Sequence, residues 1–158
     1  MTLEYTVARE VCGTVEETIS CGEKFSRIVQ TNSSVALIGD IGSGKTTFVK
    51  GLARGFATAE CASSPSFNIL NLYRGNVTLL HVDAYRLDGS RKSALDLMLD
   101  DFLEPPYCLV VEWPELLHGF LEACDYKISF ASPSHSIREI TIKKCNLSHS
   151  SAKDAQSQ

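Results

Sequence analysis

The chain has 158 residues, of which 44% are hydrophobic and 22% are charged, with a formal net charge of −4 at pH 7. This length suits one domain that buries roughly two-thirds of the surface of its unfolded chain. The acidic balance excludes an overall basic field that would draw the chain onto nucleic acid or an anionic membrane, so any role on RNA is expected to act through a partner protein.

The cysteines and the first residues indicate the compartment. The six cysteines are scattered, with no C-x-x-C pair and no zinc-ligand spacing. The opening residues, MTLEYTVARE, carry acids and no apolar core, unlike a secretory signal, and no apolar stretch is long enough to span a bilayer. We therefore expect a reduced, cytoplasmic protein without membrane attachment, whose cysteines form neither disulfides nor a metal site.

The first half of the chain predicts two helices around one strand. Thr14-Val-Glu-Glu17 has the form of a capping box and introduces the first helix. The apolar run VALI at 35–38 predicts a strand, and after a glycine-rich segment TTFVKGLARGF predicts a helix that ends near Gly55.

The second half of the chain predicts five strands, one of which ends at Glu112, and one helix. The predicted strands are 67–73, 77–83, 108–112, 126–131 and 137–142, and the predicted helix is 90–103. The first two strands flank Arg74-Gly-Asn76 as a hairpin, and the last two form a closing pair. Pro105-Pro106 ends the helix.

These elements predict the fold class and the domain boundary. Strands and helices interleave, and the unbroken apolar strands are expected to be central. We predict an α/β three-layer sandwich with a mostly parallel central sheet and antiparallel edge hairpins, formed by residues 1–142. The polar, serine-rich residues 143–158 are predicted to be a disordered tail.

The strongest motif is Gly39-Asp-Ile-Gly-Ser-Gly-Lys45-Thr46, a full match to G-x-x-x-x-G-K-[ST] between a predicted strand and a predicted helix. Its glycines allow the backbone to wrap a phosphate, and the helix adds its positive end. Lys45 can reach the β and γ phosphates, and the Thr46 hydroxyl can bind Mg²⁺. The alternative is a glycine-rich turn with an incidental lysine.

A carboxylate follows each of two apolar strands. Glu112 ends the strand CLVVE and can hold Mg²⁺ beside Thr46, because the carboxyl ends of the strands line the ligand crevice of α/β sheets. The alternative is a strand that has reached the surface. Asp83 can orient the attacking water or join the outer shell of the metal, and the alternative is a cap or turn residue.

The neighbours of Asp83 are less specific. His81 is either a polar group of the site or a satisfied core histidine, and we favour the core histidine. Tyr85 and Arg86 fit packing, surface or interface positions.

Four segments in this order and spacing resemble the bacterial TsaE family, also called YjeE. They are GDIGSGKTT at 39–47, SPSF at 64–67, HVDAYRL at 81–87 and VEWPE at 111–115. The phosphate loop is generic, whereas Glu-Trp after the later strand together with H-x-D-x-Y-R-L is specific. The resemblance covers residues 14–142.

The resemblance implies a single P-loop NTPase domain that binds and hydrolyses ATP with Mg²⁺. It also implies work with TsaD and TsaB, which transfer threonylcarbamoyl to adenosine 37 of tRNA, so that tRNA is met only through the complex. The implied metal ligands are Thr46 and Glu112, and the implied catalytic residues are Asp83, Lys45 and Glu112. The implied nucleotide-binding residues are Thr14, Gly42, Ser43, Gly44, Lys45, Thr46, Thr47, Trp113, Glu115 and Arg138.

Three positions depart from the usual pattern of the family. The family usually has threonine at Ser66, prefers leucine at Ala84 and often has a glycine near Met98. These changes bear on loop motion and partner fit more than on nucleotide binding.

We therefore predict a magnesium-dependent ATPase of tRNA threonylcarbamoyladenosine biosynthesis, slow alone and stimulated by its partners. Two alternatives use the same loop. One is a small-molecule or nucleoside kinase, although no arginine-rich lid follows the loop. The other is a non-catalytic nucleotide-dependent switch module, which would not need Asp83.

Overall fold

The computed structural model describes residues 3–59, 69–86 and 102–146. The strands are β1 Leu3–Cys12, β2 Ser33–Ile38, β3 Leu70–Tyr73, β4 Thr78–Asp83, β5 Tyr107–Glu112, β6 Tyr126–Ala131 and β7 Arg138–Asn146. The helices are α1 Val15–Ile28, α2 Lys45–Gly55 and α3 Phe120–Ala123, and 3₁₀ turns span Ala84–Arg86 and Pro114–Leu116. Across these three segments, no helix has the length and apolarity needed to cross a bilayer.

All seven strands form one mixed sheet in the order β1-β7-β6-β2-β5-β4-β3. The four strands β6, β2, β5 and β4 are parallel, whereas β1, β7 and β3 pair antiparallel at the two edges. The predicted central position of β2 and β5 and both antiparallel pairs are confirmed. The predicted parallel centre flanked by antiparallel edge hairpins is therefore confirmed: the three pairings among the central strands are parallel, and the three pairings that involve β1, β3 and β7 are antiparallel.

The edge strand β1 was not predicted. Its sequence, LEYTVAREVC, alternates apolar and polar residues at first, which is a strand pattern. The apolar side chains of Leu3 (65%) and Val11 (68%) nevertheless stay exposed, and β1 lies at the edge of the sheet.

The predicted boundary of the tail is also wrong, because β7 continues to Asn146. Residues 143–146 pair with the start of β1, from Thr6 opposite Lys143 to Leu3 opposite Asn146. Glu4 of β1 also forms ion pairs with Lys127 and with Lys143, and the Glu4–Lys143 distance is 3.9 Å. A long-range strand pairing therefore orders residues whose local composition is that of a tail.

Helices α1 and α2 pack on one face of the sheet and build the main core. Phe25 and Phe48 are fully buried, and the rings of Phe25 and Tyr126 meet edge to face at 5.4 Å between centroids. Both helices were predicted, and the capping box is present: Thr14 Oγ1 accepts from the amide of Glu17 at 3.1 Å, and the Glu17 carboxylate accepts from the amide of Thr14 at 3.2 Å.

The opposite face carries a smaller core of β4 and β5 residues. Within the described segments this core is packed by residues of the turn after β5 and of α3, including Trp113, Leu117 and Phe120. The predicted helix 90–103 and the Ser64-Pro65-Ser66 loop lie largely or wholly outside the described residues, as do Met98 and residues 147–158. The three-layer arrangement therefore stays a prediction.

Candidate functional site

The glycine-rich loop connects the carboxyl end of β2 to the first residue of α2. Gly42 (φ 75°) and Gly44 (φ 103°) have left-handed backbones, and Gly44 is the N-cap of α2. Residues with a Cβ rarely adopt such angles, which explains the glycines. A Cβ built on Gly42 would meet no atom within 4 Å, so the loop borders open space. The first amides of α2, which have no acceptor within the helix, lie at this border.

A cavity of about 530 Å³ lies over this loop. This volume is within the range of small-molecule sites, about 300–1,000 Å³. Ten of the twelve predicted site residues line it: Thr14, Gly42, Gly44, Lys45, Thr46, Thr47, Asp83, Glu112, Trp113 and Arg138. The fold therefore brings together residues that are up to 124 positions apart in sequence (14 to 138).

Ser43 and Glu115 are the two predicted residues that do not line the cavity. Ser43 is 3% exposed, and its Oγ has no hydrogen-bond partner. Glu115 is exposed on the 3₁₀ turn that follows Trp113. Trp113, whose backbone is left-handed (φ 56°), lines the cavity, whereas Glu115 two residues later is exposed. The prediction of Glu115 as a nucleotide contact is not supported by this geometry.

Lys45 is held between the loop and the tryptophan. Its Nζ donates to the carbonyl of Gly39 at 2.5 Å and lies 4.1 Å from the centroid of the Trp113 ring, a cation–π distance. The Tyr85 ring lies 5.2 Å from the Trp113 ring, on the outer side of the site. No carboxylate in the described part of the chain forms an ion pair with Lys45, so its charge is available to an anion in the cavity.

Glu112 joins the sheet to the loop. Its Oε1 accepts a hydrogen bond from Thr46 Oγ1 at 3.1 Å and lies 3.2 Å from His81 Nε2. Burial raises the pKa of Glu112, but the hydrogen bonds from His81 and Thr46 and the charge of Lys45 outweigh burial, so this pKa lies below its usual value. Glu112 is therefore an ionised carboxylate at the base of the cavity, and the alternative of a surface strand end is wrong: Glu112 is 4% exposed.

Asp83 lies beside Glu112 because β4 and β5 are parallel with Asp83 opposite Glu112. It is 8% exposed and lines the cavity. One of its oxygens, Oδ1, accepts from the amide of Tyr85 at 3.0 Å, the hydrogen bond of an aspartate-initiated turn. Asp83 therefore makes the predicted turn contact and also lines the cavity, and its role in a reaction stays a prediction.

The favoured interpretation of His81 as a satisfied core histidine is wrong in one respect. The ring is fully buried, but it contacts the Glu112 carboxylate, and its Nδ1 has no hydrogen-bond partner. His81 therefore belongs to the polar network of the site. Apolar neighbours in the strand sequence suggested a core position, and the strand-end acid that it meets is 31 residues away.

Further cavity residues were not predicted as site residues. They come from the end of β1, the start of α1, the loop tip, the turn after β4 and the segment before β7: Cys12, Gly13, Val15, Thr18, Ile41, Tyr85, His135 and Ser136. Gly13 and Val15 flank Thr14 and could have been found from it. His135 and Ser136 carry no local signal, because only the antiparallel return of β7 beside β6 brings them to the cavity.

The oxygen donors fit a magnesium ion. The Thr46 hydroxyl and the Glu112 carboxylate, 3.1 Å apart, are hard oxygen ligands beside the loop. In the described segments no three His, Cys, Asp or Glu side chains are grouped as a metal cage. This suits Mg²⁺ bound with a nucleotide, because Mg²⁺ takes one or two protein oxygens and completes its shell with phosphate oxygens and water.

The fold and the site define a class: an α/β protein with a glycine-rich phosphate-loop sequence at the carboxyl edge of its central strands, facing a buried strand-end glutamate. Comparison with known proteins narrows this class. The family model described as "Threonylcarbamoyl adenosine biosynthesis protein TsaE" matches residues 12–140. The chain therefore belongs to the TsaE family.

Individual relatives agree with this assignment. The chain is 34% identical to the tRNA threonylcarbamoyladenosine biosynthesis protein TsaE of Treponema pallidum (strain Nichols), over 85% of this chain and 98% of that protein. It is 32% identical to the protein of the same name from Bacillus subtilis (strain 168), over 80% and 79% of the two chains. The crystal structure of Bacillus subtilis YdiB superposes with a TM-score of 0.64 at 26% identity, covering 91% of this chain and 86% of that one.

Proposed function

We propose that the protein binds ATP with Mg²⁺ and hydrolyses it in support of the threonylcarbamoylation of adenosine 37 in tRNA, acting with TsaD and TsaB homologues. The observation that carries the proposal is the convergence of three groups in one cavity: the amino-terminal end of α2, the Lys45 ammonium and the Thr46–Glu112 pair. Family membership supplies the biosynthetic context.

Binding of the triphosphate rests on the loop. Gly42 and Gly44 keep the backbone open toward the cavity, and the first amides of α2 point to the position of a phosphate. Lys45 adds an ammonium, the one that lines this cavity among the described residues. Its contacts with the Gly39 carbonyl and the Trp113 ring keep it at the loop, from which a small rotation of the side chain reaches the β and γ phosphates.

Magnesium is assigned to Thr46 and Glu112, where it would neutralise charge on the phosphates. The hydroxyl keeps lone pairs for a cation while it donates its proton to the carboxylate. The low pKa of Glu112 keeps this carboxylate ionised at neutral pH. Asp83, one strand away, is assigned to the hydrolytic step as the group that orients or deprotonates the attacking water.

The acidic charge of the chain favours a role next to tRNA rather than on it, since no excess of basic residues is available to bind phosphate backbones. We therefore assign tRNA contact to the partner proteins and expect no membrane binding. Slow basal turnover is expected, because among the described residues the cavity is open to water at the exposed Ile41 and Tyr85.

The test is reconstitution. The purified chain is mixed with its TsaD and TsaB homologues, and the complex is followed by size exclusion with and without ATP. Phosphate release and threonylcarbamoyladenosine on the tRNA product are measured in the same samples. The proposal expects low basal hydrolysis that rises with the partners and modified tRNA that depends on ATP. Unchanged hydrolysis with active partners contradicts it.

The same experiment separates the two alternatives. A small-molecule kinase would transfer the γ phosphate to a small acceptor, and this product would be seen by mass spectrometry. A switch module would support complex formation with ATP while Asp83→Asn changed nothing.

A further inference from the structure

We infer that His81 is a positioning residue for Glu112: its Nε2–H fixes the Glu112 carboxylate in the orientation that faces Thr46. The inference deepens the proposed function and rests on it, since the carboxylate so oriented is the one assigned to magnesium. His81 does not line the cavity, and its hydrogen bond is with Glu112, so its effect on the site is assigned to Glu112.

The strand register explains why a histidine at this position reaches the acid. In the parallel pair β4–β5, His81 lies opposite Val110 and Asp83 lies opposite Glu112. Side chains two residues apart on a strand point to the same face, so His81, Asp83 and Glu112 all project toward α2. The imidazole then spans one step diagonally and meets Glu112 Oε1 at 3.2 Å.

The contact identifies the donor atom of the ring. An ionised carboxylate can only accept, so the proton of this hydrogen bond belongs to Nε2. Nδ1 is buried and has no partner, so the contact with Glu112 is the one hydrogen bond of the ring among the described residues. His81 therefore acts on Glu112 as a donor through Nε2.

Two donors from different elements hold the same oxygen of the Glu112 carboxylate. Thr46 Oγ1 donates to Glu112 Oε1 from α2, and His81 donates to the same oxygen from β4. His81 is fully buried, so the packing around its ring restricts the ring's movement. Without it, the glutamate would keep the Thr46 contact alone, and its side chain could rotate away from the loop. Partners of metal-binding side chains that act in this way typically contribute about 10–100-fold to metal affinity.

The test compares His81→Leu, which removes the donor at similar volume, with His81→Gln, whose side-chain amide can place a donor near the position of Nε2. Calorimetry gives the ATP affinity in EDTA and at saturating Mg²⁺, and the ratio of the two affinities is the magnesium effect. We expect this ratio to fall at least tenfold in His81→Leu and to stay within threefold of wild type in His81→Gln. ATP affinity in EDTA should change less than threefold in both.

A double variant shows whether His81 acts through Glu112. In a Glu112→Gln background, His81→Leu should lower the magnesium effect no further, because the group that it positions is gone. If His81→Leu does not fold, His81→Asn replaces it, since its shorter amide cannot reach Glu112. Far-UV circular dichroism and the unfolding midpoint of every variant are recorded to identify that case.

The outcomes are distinct. An unchanged magnesium effect in the donor-free variant, or an equal loss of affinity with and without Mg²⁺, overturns the inference and leaves the proposed function standing. A fall in His81→Gln as large as in His81→Leu also overturns it, because the ring would then be needed for packing. A wild type that binds ATP without any magnesium effect would overturn the metal part of the proposed function and this inference with it.

Discussion

Trp113 combines a strained backbone with a half-buried position in the wall of the cavity. Its φ of 56° and ψ of 49° are rare for a residue with a bulky side chain, and such conformations cost on the order of 1–3 kcal/mol. The turn that it makes places the indole over Lys45 and against Tyr85. Strain of this kind is retained where a side chain must be aimed, which agrees with Trp113 as a wall of the nucleotide site.

The lysine of the loop is the first residue to test. Lys45→Ala removes the charge over the phosphates, where charge-assisted contacts are worth about 1.5–3 kcal/mol. ATP affinity measured by calorimetry should therefore fall at least about tenfold. Lys50→Ala, on the exposed side of the same helix, is the matched control and should bind as wild type does. Equal affinities in the two variants would contradict the assignment of the loop.

The two neighbouring carboxylates should separate binding from reaction. Glu112→Gln removes the charge beside Thr46, so it should weaken magnesium-dependent nucleotide binding and hydrolysis together. Asp83→Asn should leave binding within a fewfold and lower partner-stimulated hydrolysis by roughly 10²-fold, the usual loss of a positioned acid–base group.

The fluorescence of Trp113 provides the readout, because it is the single tryptophan of the chain. Each variant is titrated with ATP, with and without Mg²⁺, and phosphate release is followed in parallel. Flat fluorescence despite binding seen by calorimetry would remove Trp113 from the site. Normal Mg-ATP binding by Glu112→Gln would remove the carboxylate from the metal.

At the scale of elements, the close crossing of α1 and α2 holds the phosphate loop against the sheet. Gly22 of α1 and Gly51 of α2 face each other there, and because neither has a Cβ, the backbones of the two helices come into contact. A Cβ on Gly51 would lie 1.9 Å from the carbonyl oxygen of Ile19, and one on Gly22 would lie 2.2 Å from that of Phe48. These contacts are with backbone atoms, so a side chain at either glycine must separate the helices.

Gly51→Ala should therefore destabilise the protein although alanine is the better helix former. Overpacking typically costs about 1–3 kcal/mol, against a gain of about 1 kcal/mol in helix propensity. A lower urea midpoint is expected. Gly13→Ala is the control, since the nearest atom to its Cβ would be 3.5 Å away, and its midpoint should stay near that of wild type. Equal urea midpoints for Gly51→Ala and wild type would contradict the close contact between α1 and α2.

At the scale of the molecule, folding buries titratable thiols on β5 (Cys108), on α1 (Cys21) and directly after α3 (Cys124). Burial raises the pKa of Cys108 from 9.0 to about 12, and those of Cys21 and Cys124 also to about 12. Between pH 9 and about pH 12, the unfolded chain loses thiol protons that the folded chain keeps. The contribution to stability is therefore full below pH 9 and declines as the pH rises toward 12.

This linkage gives a measurable slope. Above pH 9 each such thiol should lower the free energy of unfolding by up to about 1.4 kcal/mol per pH unit. Cys108→Ala removes one thiol. Between pH 9.5 and 11 the free energy of unfolding of this variant should therefore fall less steeply with pH than that of wild type, even if the two proteins differ in absolute stability. Parallel pH profiles, measured by urea unfolding, would show that Cys108 does not titrate on unfolding.

The sequence by itself determined the features whose causes are local. The phosphate loop is specified by eight consecutive residues, the start of α1 by the capping box of Thr14 and Glu17, and the central strands by unbroken apolar runs. Strand-end acids were also visible, because an ionisable residue directly after a buried run is a local pattern. Ten of the twelve predicted site residues line the cavity, although Thr14, Trp113 and Arg138 were predicted from the family resemblance and not from a local pattern.

The tertiary structure alone decided what depends on pairing between distant segments. It ordered residues 143–146 by pairing them with β1, and it placed Trp113 but not Glu115 in the lining of the cavity. It also placed His81 against Glu112, through the register of β4 on β5. Strand order and register arise from contacts across the sheet, which leave no periodicity within either partner, so no local pattern could report them.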